Sequence, residues 1–294
     1  MTSPSLRSVL DAGQVVVLDG GLATQLESQG HDLSSARWSA RLVVDDPDAV
    51  VAAHRAYFEA GAQVAITASY QAAGMPEALR TSVRLAERAR SSVDGGLPLW
   101  VAASVGPYGA LLADGSEYRG DYGLSVAELR VRHRPTIQTL LEAEPDLLAL
   151  ETIPCLVEVE ALLAEVEGTG VDCWLSLTCA DGRTRAGEPV AEAYAMARDV
   201  AEVVAVGVNC TRPAEVGGLV RRAAQVSGLP VVVYPNAGEE WDAAGRTWVG
   251  AGTFSAADVQ DWISAGAQLV GGCCRVGPDQ IRALADVVHT TTDV

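Results

Sequence analysis

Basic residues are scarce in this sequence. Its 294 residues include 21 Lys and Arg against 38 Asp and Glu, which gives a formal net charge of −17. Nucleic-acid binding depends on clustered basic side chains that neutralise phosphates, so this balance argues against a DNA or RNA partner. An acidic surface keeps a protein in solution and by itself identifies no ligand.

Long apolar runs are also lacking. An uncharged stretch near the middle of the chain, residues 99–113, is shorter than the roughly 20 apolar residues that a membrane helix needs. The first residues, MTSPSLRSVLDAG, do not combine a basic region with a long apolar run, as a secretory signal would. We therefore expect a cytoplasmic protein without a membrane partner.

Two common binding motifs are absent. No C-x-x-C pair occurs, which argues against a zinc ribbon or a thioredoxin-like site, and no G-x-G-x-x-G segment indicates a dinucleotide fold. Six cysteines are present, at positions 155, 173, 179, 210, 273 and 274. A chain with 49% hydrophobic residues builds a large core and has little need of disulfides, so we expect free thiols.

Eight short apolar runs alternate with helical patterns along the chain. The runs are VVVLDGG from Val15, VAITAS from Val64, PLWVAAS from Pro98, LLALETI from Leu147, CWLSLTC from Cys173, AVGVNC from Ala205, PVVVYPN from Pro230 and LVGGCC from Leu269. Continuous apolar runs suit strands buried on both faces of a parallel sheet. Eight β-then-α units predict one (β/α)₈ barrel domain over residues 1–294, with a doubly wound open sheet as the alternative.

Polar residues stand where these predicted strands end, and in a barrel such positions converge on one mouth. They are Asp19, Gly20, Gly21, Thr67, Ser69, Glu151, Thr152, Asn209, Cys210, Asn236, Cys273 and Cys274. Three long connections, residues 22–46, 105–124 and 237–255, also follow strand ends and are expected over the same mouth. The pattern predicts a functional site there, because polar groups buried without partners cost several kcal/mol.

Three of the cysteines are expected to meet at this mouth. Cys210 ends the sixth predicted strand, while Cys273 and Cys274 end the eighth, and only the seventh strand lies between. Three thiolates and one exchangeable position describe a zinc site that is open for chemistry. Gly271 and Gly272 let the backbone leave strand geometry so that both adjacent sulfurs can turn toward one ion. The alternatives are buried core thiols, a structural metal clip or a redox sensor.

A sulfur-rich zinc site favours a sulfur substrate, because a thiol bound to zinc loses its proton and becomes a nucleophile. The competing use, activation of water by a zinc-dependent lyase or hydrolase, usually relies on histidine and carboxylate ligands. The four histidines, at positions 31, 54, 133 and 289, are poorly placed for it. Asp19 and Glu151 can pair with an ammonium group or serve as structural carboxylates. Cys155, Cys173 and Cys179 are expected to be core thiols.

Eight segments together resemble one enzyme family. They are DGGLATQLE, ARWSARL, AGAQVAITASYQA, SVGPYGALLADGSEYRGDYG, ETIPC, VGVNC, YPNAG and GGCCR, and they resemble the homocysteine S-methyltransferases over nearly the whole chain. The resemblance implies that Cys210, Cys273 and Cys274 bind catalytic Zn²⁺, with the homocysteine sulfur as fourth ligand. It also implies a homocysteine pocket formed by Asp19, Gly20, Gly21, Thr67 and Glu151. Asn209 is a further candidate contact, and Asn236 a candidate zinc ligand before substrate arrives.

The segments WSARL and SEYRGDYG resemble the branch of the family that uses S-methylmethionine or S-adenosylmethionine. Both donors carry a sulfonium cation, which aromatic rings attract, and the candidate rings are Trp38, Tyr70, Tyr118 and Tyr122. No glycine-rich S-adenosylmethionine pocket and no cobalamin-binding region is recognisable, which favours S-methylmethionine. The expected reaction is methyl transfer to the homocysteine thiolate, giving methionine. Betaine as donor, or a selenol as acceptor, stays open.

Overall fold

Eight parallel strands form a nearly closed barrel. The computed structural model describes residues 4–33, 38–93, 96–242 and 247–292. The strands are β1 (Val16–Val17), β2 (Val64–Ile66), β3 (Trp100–Val105), β4 (Leu147–Ile153), β5 (Cys173–Leu177), β6 (Val203–Asn209), β7 (Val231–Tyr234) and β8 (Ala267–Val270). Their order is β1-β8-β7-β6-β5-β4-β3-β2, and a parallel bridge between Leu18 and Val64 joins the two ends. The predicted (β/α)₈ barrel is confirmed, and the open-sheet alternative is wrong.

Twelve α-helices are described around the strands. They are α1 (Leu6–Asp11), α2 (Leu22–Ser28), α3 (Trp38–Asp45), α4 (Pro47–Glu59), α5 (Pro76–Arg90), α6 (Tyr108–Leu112), α7 (Val126–Leu141), α8 (Leu156–Val166), α9 (Val190–Ala197), α10 (Pro213–Ser227), α11 (Ala256–Ser264) and α12 (Pro278–Thr292). Four of them begin at a proline, where the missing N–H costs no helical hydrogen bond. None of the helices within the described ranges is long and apolar enough to cross a bilayer.

The barrel interior is packed, and its amino-terminal end is closed. Trp174 and Tyr234 are buried inside the barrel, and the Trp174 indole N–H donates to the Tyr234 hydroxyl at 3.0 Å. Leu6 and Leu10 of α1 join this inner cluster, and Gln268 donates to the carbonyl of Leu10 at 2.9 Å. A ligand therefore reaches the interior from the carboxyl ends of the strands, where the sites of such barrels lie.

Four connections extend beyond the carboxyl ends of the strands. The three long ones expected from the sequence hold α2 and α3 after β1, α6 and a 3₁₀ turn (Ser116–Tyr118) after β3, and a hairpin (Glu240–Asp242 with Thr247–Val249) after β7. The fourth follows β5 and contains a small hairpin, Cys179–Ala180 with Arg183–Thr184. The sequence analysis missed this fourth connection because its twelve residues look like an ordinary loop.

Candidate active site

Three cysteine sulfurs converge at the mouth of the barrel. The Sγ atoms of Cys210, Cys273 and Cys274 all lie within 4.8 Å of one another, and no other such group of possible metal ligands occurs among the described residues. Cys210 and Cys273 are 2.6 Å apart between their sulfurs, and Cys273 and Cys274 are 4.0 Å apart. The three thiols that the sequence placed together are thus brought together by the fold.

The backbone leaves strand geometry at each end of this cluster. Cys210 follows β6 with a φ of 47°, a left-handed conformation that redirects the chain after the strand. After β8, a Cβ on Gly271 would lie 2.6 Å from the Cβ of Leu18, so only glycine allows β1 and the cysteine segment to approach this closely. The segment is then fixed by its own amides: Cys273 donates to the Pro235 carbonyl at 2.8 Å.

The three thiols fit a metal centre by their chemistry. Tetrahedral zinc with Zn–S bonds of about 2.3 Å separates its sulfur ligands by roughly 3.8 Å; the Cys273–Cys274 separation of 4.0 Å is close to this value, whereas the Cys210–Cys273 separation of 2.6 Å is shorter. Hydrogen bonds from the thiols of Cys210 and Cys273 keep the pKa of Cys274 well below its usual range, although burial acts in the opposite direction and raises it. A thiolate of this kind is the form that binds metal.

Two buried carboxyl groups, Asp19 and Glu151, face the same mouth from β1 and β4. Asp19 is 1% exposed; its Oδ2 accepts from the Ile66 amide at 2.8 Å, whereas its Oδ1 has no partner among the described residues. Glu151 accepts a hydrogen bond from the Ser104 hydroxyl. Burial raises the pKa of both groups, that of Glu151 to about 7. Neither carboxyl group has an ion-pair partner among the described residues, so together they offer a site for an ammonium group.

Thr67 belongs to a chain of hydroxyl groups beside these carboxyl groups. Its Oγ1 accepts from the Ser104 amide at 3.1 Å and lies 2.7 Å from the Ser69 hydroxyl. Because Ser69 donates its only proton to the Ser104 carbonyl, Thr67 must be the donor to Ser69. Thr67 therefore fixes the end of β2 against β3, and its contact with a substrate stays a prediction.

Gly20 and Gly21 lie against the cysteine segment. A Cβ on Gly21 would stand 2.6 Å from the Cys273 carbonyl oxygen, and one on Gly20 would overlap with the Val276 carbonyl. The Tyr57 hydroxyl joins the two segments, with its oxygen 2.8 Å from the Gly21 carbonyl and 3.1 Å from that of Val276. The absence of side chains at Gly20 and Gly21 therefore lets the backbone of the cysteine segment pack against them.

Asn209 and Asn236 stand in different environments. The Asn209 side chain is fully buried and hydrogen-bonds with Thr152 and Ser176, so its polar atoms already have protein partners. The Oδ1 of Asn236 is buried and has no partner among the described residues. The Asn236 amide donates to the Thr211 carbonyl at 3.1 Å, which ties this turn to the segment after Cys210. Of these two asparagines, Asn236 is therefore the one whose buried side-chain oxygen has no hydrogen-bond partner among the described residues.

The aromatic candidates separate into two groups. Tyr70 and Tyr118 are half-buried near the thiol cluster, and burial together with the Cys210 thiol raises the pKa of each hydroxyl. Tyr122 packs edge-on against Tyr108 with ring centroids 5.4 Å apart, and its charged or titratable neighbours are Glu158 and Cys155. The side chain of Trp38 lies outside the described residues.

Arg185, in the loop after β5, was missed by the sequence analysis. Its Nε donates to the Thr178 hydroxyl at 3.2 Å, and its Nη2 donates to the Cys210 carbonyl at 3.4 Å. Its guanidinium carbon lies 5.4 Å from the centre of the Tyr118 ring. An arginine twelve residues beyond the start of a predicted strand gives no sequence signal, because its loop must fold back before it meets the site.

The remaining cysteines and histidines do not join the cluster. Cys155, Cys173 and Cys179 are each at most 1% exposed, and burial raises the pKa of Cys155 and Cys179 to about 12, as expected of core thiols. His54 is buried in α4, and burial lowers its pKa to about 4, so it packs as a neutral ring. His133 pairs with Glu158 at 2.8 Å.

Comparison with known proteins places this site in a family. The family model for homocysteine S-methyltransferase matches residues 16–288. The chain belongs to the homocysteine S-methyltransferase family. The predicted resemblance and the prediction of a methyltransferase are both confirmed. The homocysteine S-methyltransferase of Escherichia coli is 42% identical over 95% of this chain and 97% of its own length. Homocysteine S-methyltransferase 4 of Zea mays is 43% identical over 96% of this chain and 91% of its own length.

Solved structures of the E. coli homocysteine methyltransferase MmuM show the same fold. Its metallated form superposes with a TM-score of 0.86 at 38% identity, covering 96% of this chain and 99% of that protein. Its apo form gives a TM-score of 0.78. The E. coli protein thus exists in forms with and without metal, and the chain described here carries a three-cysteine cluster that could hold a metal ion.

Proposed function

We propose that this homocysteine S-methyltransferase moves a methyl group from S-methylmethionine, or from S-adenosylmethionine, to the thiolate of L-homocysteine and forms methionine with zinc as cofactor. The observation that carries the proposal is the convergence of Cys210, Cys273 and Cys274 within 4.8 Å beside two buried carboxyl groups. The cluster offers sulfur ligands for a metal, and the carboxyl groups offer an anchor for an amino acid.

The acceptor is held at its amino end by the two carboxyl groups. Asp19 follows β1 and Glu151 lies on β4, so both reach the mouth. An ammonium group placed between them would supply a positive charge beside the two carboxyl groups and lower the pKa of both. The unpartnered Oδ1 of Asp19 then gains a donor. This arrangement points the thiol of a short amino acid toward the cysteine cluster.

Cys210, Cys273 and Cys274 would hold Zn²⁺, and Asn236, whose buried Oδ1 has no partner among the described residues, is the candidate for the fourth position before substrate arrives. A bound zinc ion would keep the substrate sulfur as a thiolate at neutral pH. Gly20, Gly21 and Thr67 would line the homocysteine pocket. Asn209 supports the site through Thr152, and a direct contact between Asn209 and substrate stays a prediction.

The chemical step is an in-line displacement. The homocysteine sulfur forms a bond to the methyl carbon, the carbon–sulfur bond of the sulfonium breaks, and its electron pair stays on the donor sulfur. The leaving group is a neutral thioether, so no residue needs to protonate it. The protein contributes position: it holds two flexible reactants in line, which is a large part of the rate gain in such transfers.

The decisive assay measures methionine formed from homocysteine by zinc-loaded protein with S-methylmethionine, S-adenosylmethionine or betaine. We expect the fastest turnover with S-methylmethionine, at two methionines per homocysteine consumed, since the demethylated donor is also methionine. S-adenosylmethionine would give one methionine and one S-adenosylhomocysteine. Equal inactivity with all three donors would contradict the proposal and return the zinc lyase or hydrolase as the working hypothesis.

A further inference from the structure

Arg185 places a positive charge at the mouth without a counter-charge. Both of its hydrogen bonds go to neutral oxygens, the Thr178 hydroxyl and the Cys210 carbonyl. No ion pair within the described ranges includes it, although the side chain is half-buried. A guanidinium has five N–H donors in a planar fork, so Arg185 keeps donors available for an anion.

Glu117 places a separate negative charge on the facing loop. It is half-buried in the 3₁₀ turn after β3, and its Oε2 is buried without a partner among the described residues. Burial raises the pKa of this carboxyl group, the nearby Asp114 and Cys210 raise it further, and Arg119 acts in the opposite direction. Glu117 lies in the turn after β3, whereas Asp19 follows β1 and Glu151 lies on β4, so the mouth holds a third acidic group from a different segment.

The loops that carry the two charges meet over the end of β4. Arg185 stacks on the ring of Tyr118, the residue next to Glu117. The amide of Ala186 donates to the Pro154 carbonyl at 3.1 Å, and a Cβ on Gly120 would lie 3.2 Å from the same oxygen. Both loops thus rest on the segment that follows Glu151, and together they cover the side of the mouth near Cys210.

We propose that Arg185 binds the carboxylate and Glu117 the ammonium group of an amino-acid methyl donor, whose sulfonium faces Tyr70 and Tyr118. This inference rests on the proposed function and deepens it by naming the donor site. Donor and acceptor are both amino acids, and each needs its own charged contacts at one mouth. Asp19 and Glu151 serve the acceptor, whereas Arg185 and Glu117 offer one charge of each sign for the donor.

The electrostatics of the site support an amino-acid donor. Arg185 repels a bare sulfonium cation, so a donor gains from this residue only when it carries a carboxylate. Arginine pairs with carboxylates through two parallel hydrogen bonds, which fixes orientation as well as position. Aromatic rings attract the sulfonium itself. A donor held at its amino-acid end keeps its methyl carbon directed toward the thiol cluster.

The test compares three donors in zinc-loaded wild type, Arg185→Gln and Glu117→Gln. The donors are S-methylmethionine, its carboxamide, which lacks the carboxylate charge, and 4-dimethylsulfoniobutanoate, which lacks the amino group. We expect Arg185→Gln to raise the KM for S-methylmethionine about tenfold or more and that for the carboxamide less than twofold. Glu117→Gln should raise the KM for S-methylmethionine similarly and leave that for 4-dimethylsulfoniobutanoate within about twofold.

Thr178→Val is the matched control. It removes the hydroxyl that bonds both Arg185 and the Cys210 carbonyl but keeps the guanidinium charge, so the preference for S-methylmethionine over its carboxamide should persist. Bound zinc is measured in each variant. Equal losses with both donors in Arg185→Gln, or a raised KM for homocysteine instead, would overturn the donor site.

Calorimetric titration of zinc-loaded protein with S-methylmethionine separates this inference from the proposed function. Wild type that binds S-methylmethionine more tightly than Arg185→Gln, yet transfers no methyl group, would contradict the proposed function and support the donor site. Active wild type with no difference between the two proteins would remove the binding site and retain the function. Wild type that neither binds nor turns over S-methylmethionine would remove both.

Discussion

Asn209 holds Thr152 by two hydrogen bonds. The Thr152 amide donates to Asn209 Oδ1 at 2.7 Å, and Asn209 Nδ2 donates to the Thr152 hydroxyl, also at 2.7 Å. Thr152 has a φ of 63°, which is unfavourable for a β-branched residue and persists only where the surroundings enforce it. The pair therefore connects β6 to the part of β4 that carries Glu151.

We expect Asn209→Ala to lower the free energy of unfolding by roughly 2–4 kcal/mol, because it leaves the Thr152 amide and the Ser176 hydroxyl without their buried partner. Urea unfolding of metal-free protein measures the change. Ser91→Ala, which removes an exposed hydroxyl bonded to the Glu87 carbonyl, should stay within about 0.5 kcal/mol of wild type. Equal stabilities of Asn209→Ala and wild type would show that the pair contributes nothing.

The cysteine cluster predicts how one substitution affects metal content. Cys273→Ser removes the sulfur that lies next to both other thiols, so we expect loss of bound zinc and of turnover with an unchanged circular dichroism spectrum. Cys155→Ala is the matched control: that thiol is buried beside Glu158, and its loss should leave zinc bound. Metal analysis of the purified proteins decides, and a Cys273→Ser protein with full zinc and normal turnover would refute the site.

The buried carboxyl group of Glu151 predicts a dependence of stability on pH. Burial raises its pKa from 4.5 to about 7, so between these values the folded state keeps a proton that the unfolded state has lost. The free energy of unfolding therefore falls as the pH rises through this window, by on the order of 3 kcal/mol in total. Below pH 4.5 and above pH 7 this contribution is constant.

Denaturant unfolding of metal-free wild type and Glu151→Gln at pH 4.5, 5.5, 6.5 and 7.5 checks this dependence. Glutamine does not titrate, so wild type should lose stability relative to the variant across the series. Parallel stability curves for the two proteins would mean that the pKa of Glu151 is the same in the folded and unfolded states, and so that burial does not raise it.

The contact between Gly20 and the cysteine segment predicts a strong effect of one methyl group. In Gly20→Ala the new Cβ would overlap with the Val276 carbonyl and lie 2.7 Å from a ring carbon of Tyr57, so we expect a loss of about 1–3 kcal/mol and weaker zinc retention. Gly218→Ala in α10 is the control, since nothing lies within 4 Å of the added Cβ; there we expect a gain of roughly 1 kcal/mol. Equal melting temperatures for the two variants would contradict this account.

Much of the site could be predicted because its residues stand at the ends of recognisable strands. Cys210 and Cys273 are far apart in the chain, yet a barrel places every strand end at one mouth, and their meeting followed from counting strands. The same argument placed Asp19 and Glu151. It could not give Asn209 its partners, because strand order tells which ends meet and not which side chains hydrogen-bond.

Arg185 and Glu117 mark where sequence reasoning stopped. Neither ends a strand; both lie in loops, and loop residues come together only through contacts such as the stacking of Arg185 on Tyr118. Such contacts depend on the paths that two loops take in space, and no periodicity in the sequence encodes those paths.

The sequence by itself determined the barrel, the ring of polar strand ends and the gathering of three thiols, because burial patterns and strand number fix these features. The tertiary structure decided which buried oxygens have partners, as the contrast between Asn209 and Asn236 shows. It also decided which loop charges face the thiols. Those outcomes depend on distances of a few ångströms between segments distant in the chain, and only the folded molecule sets such distances.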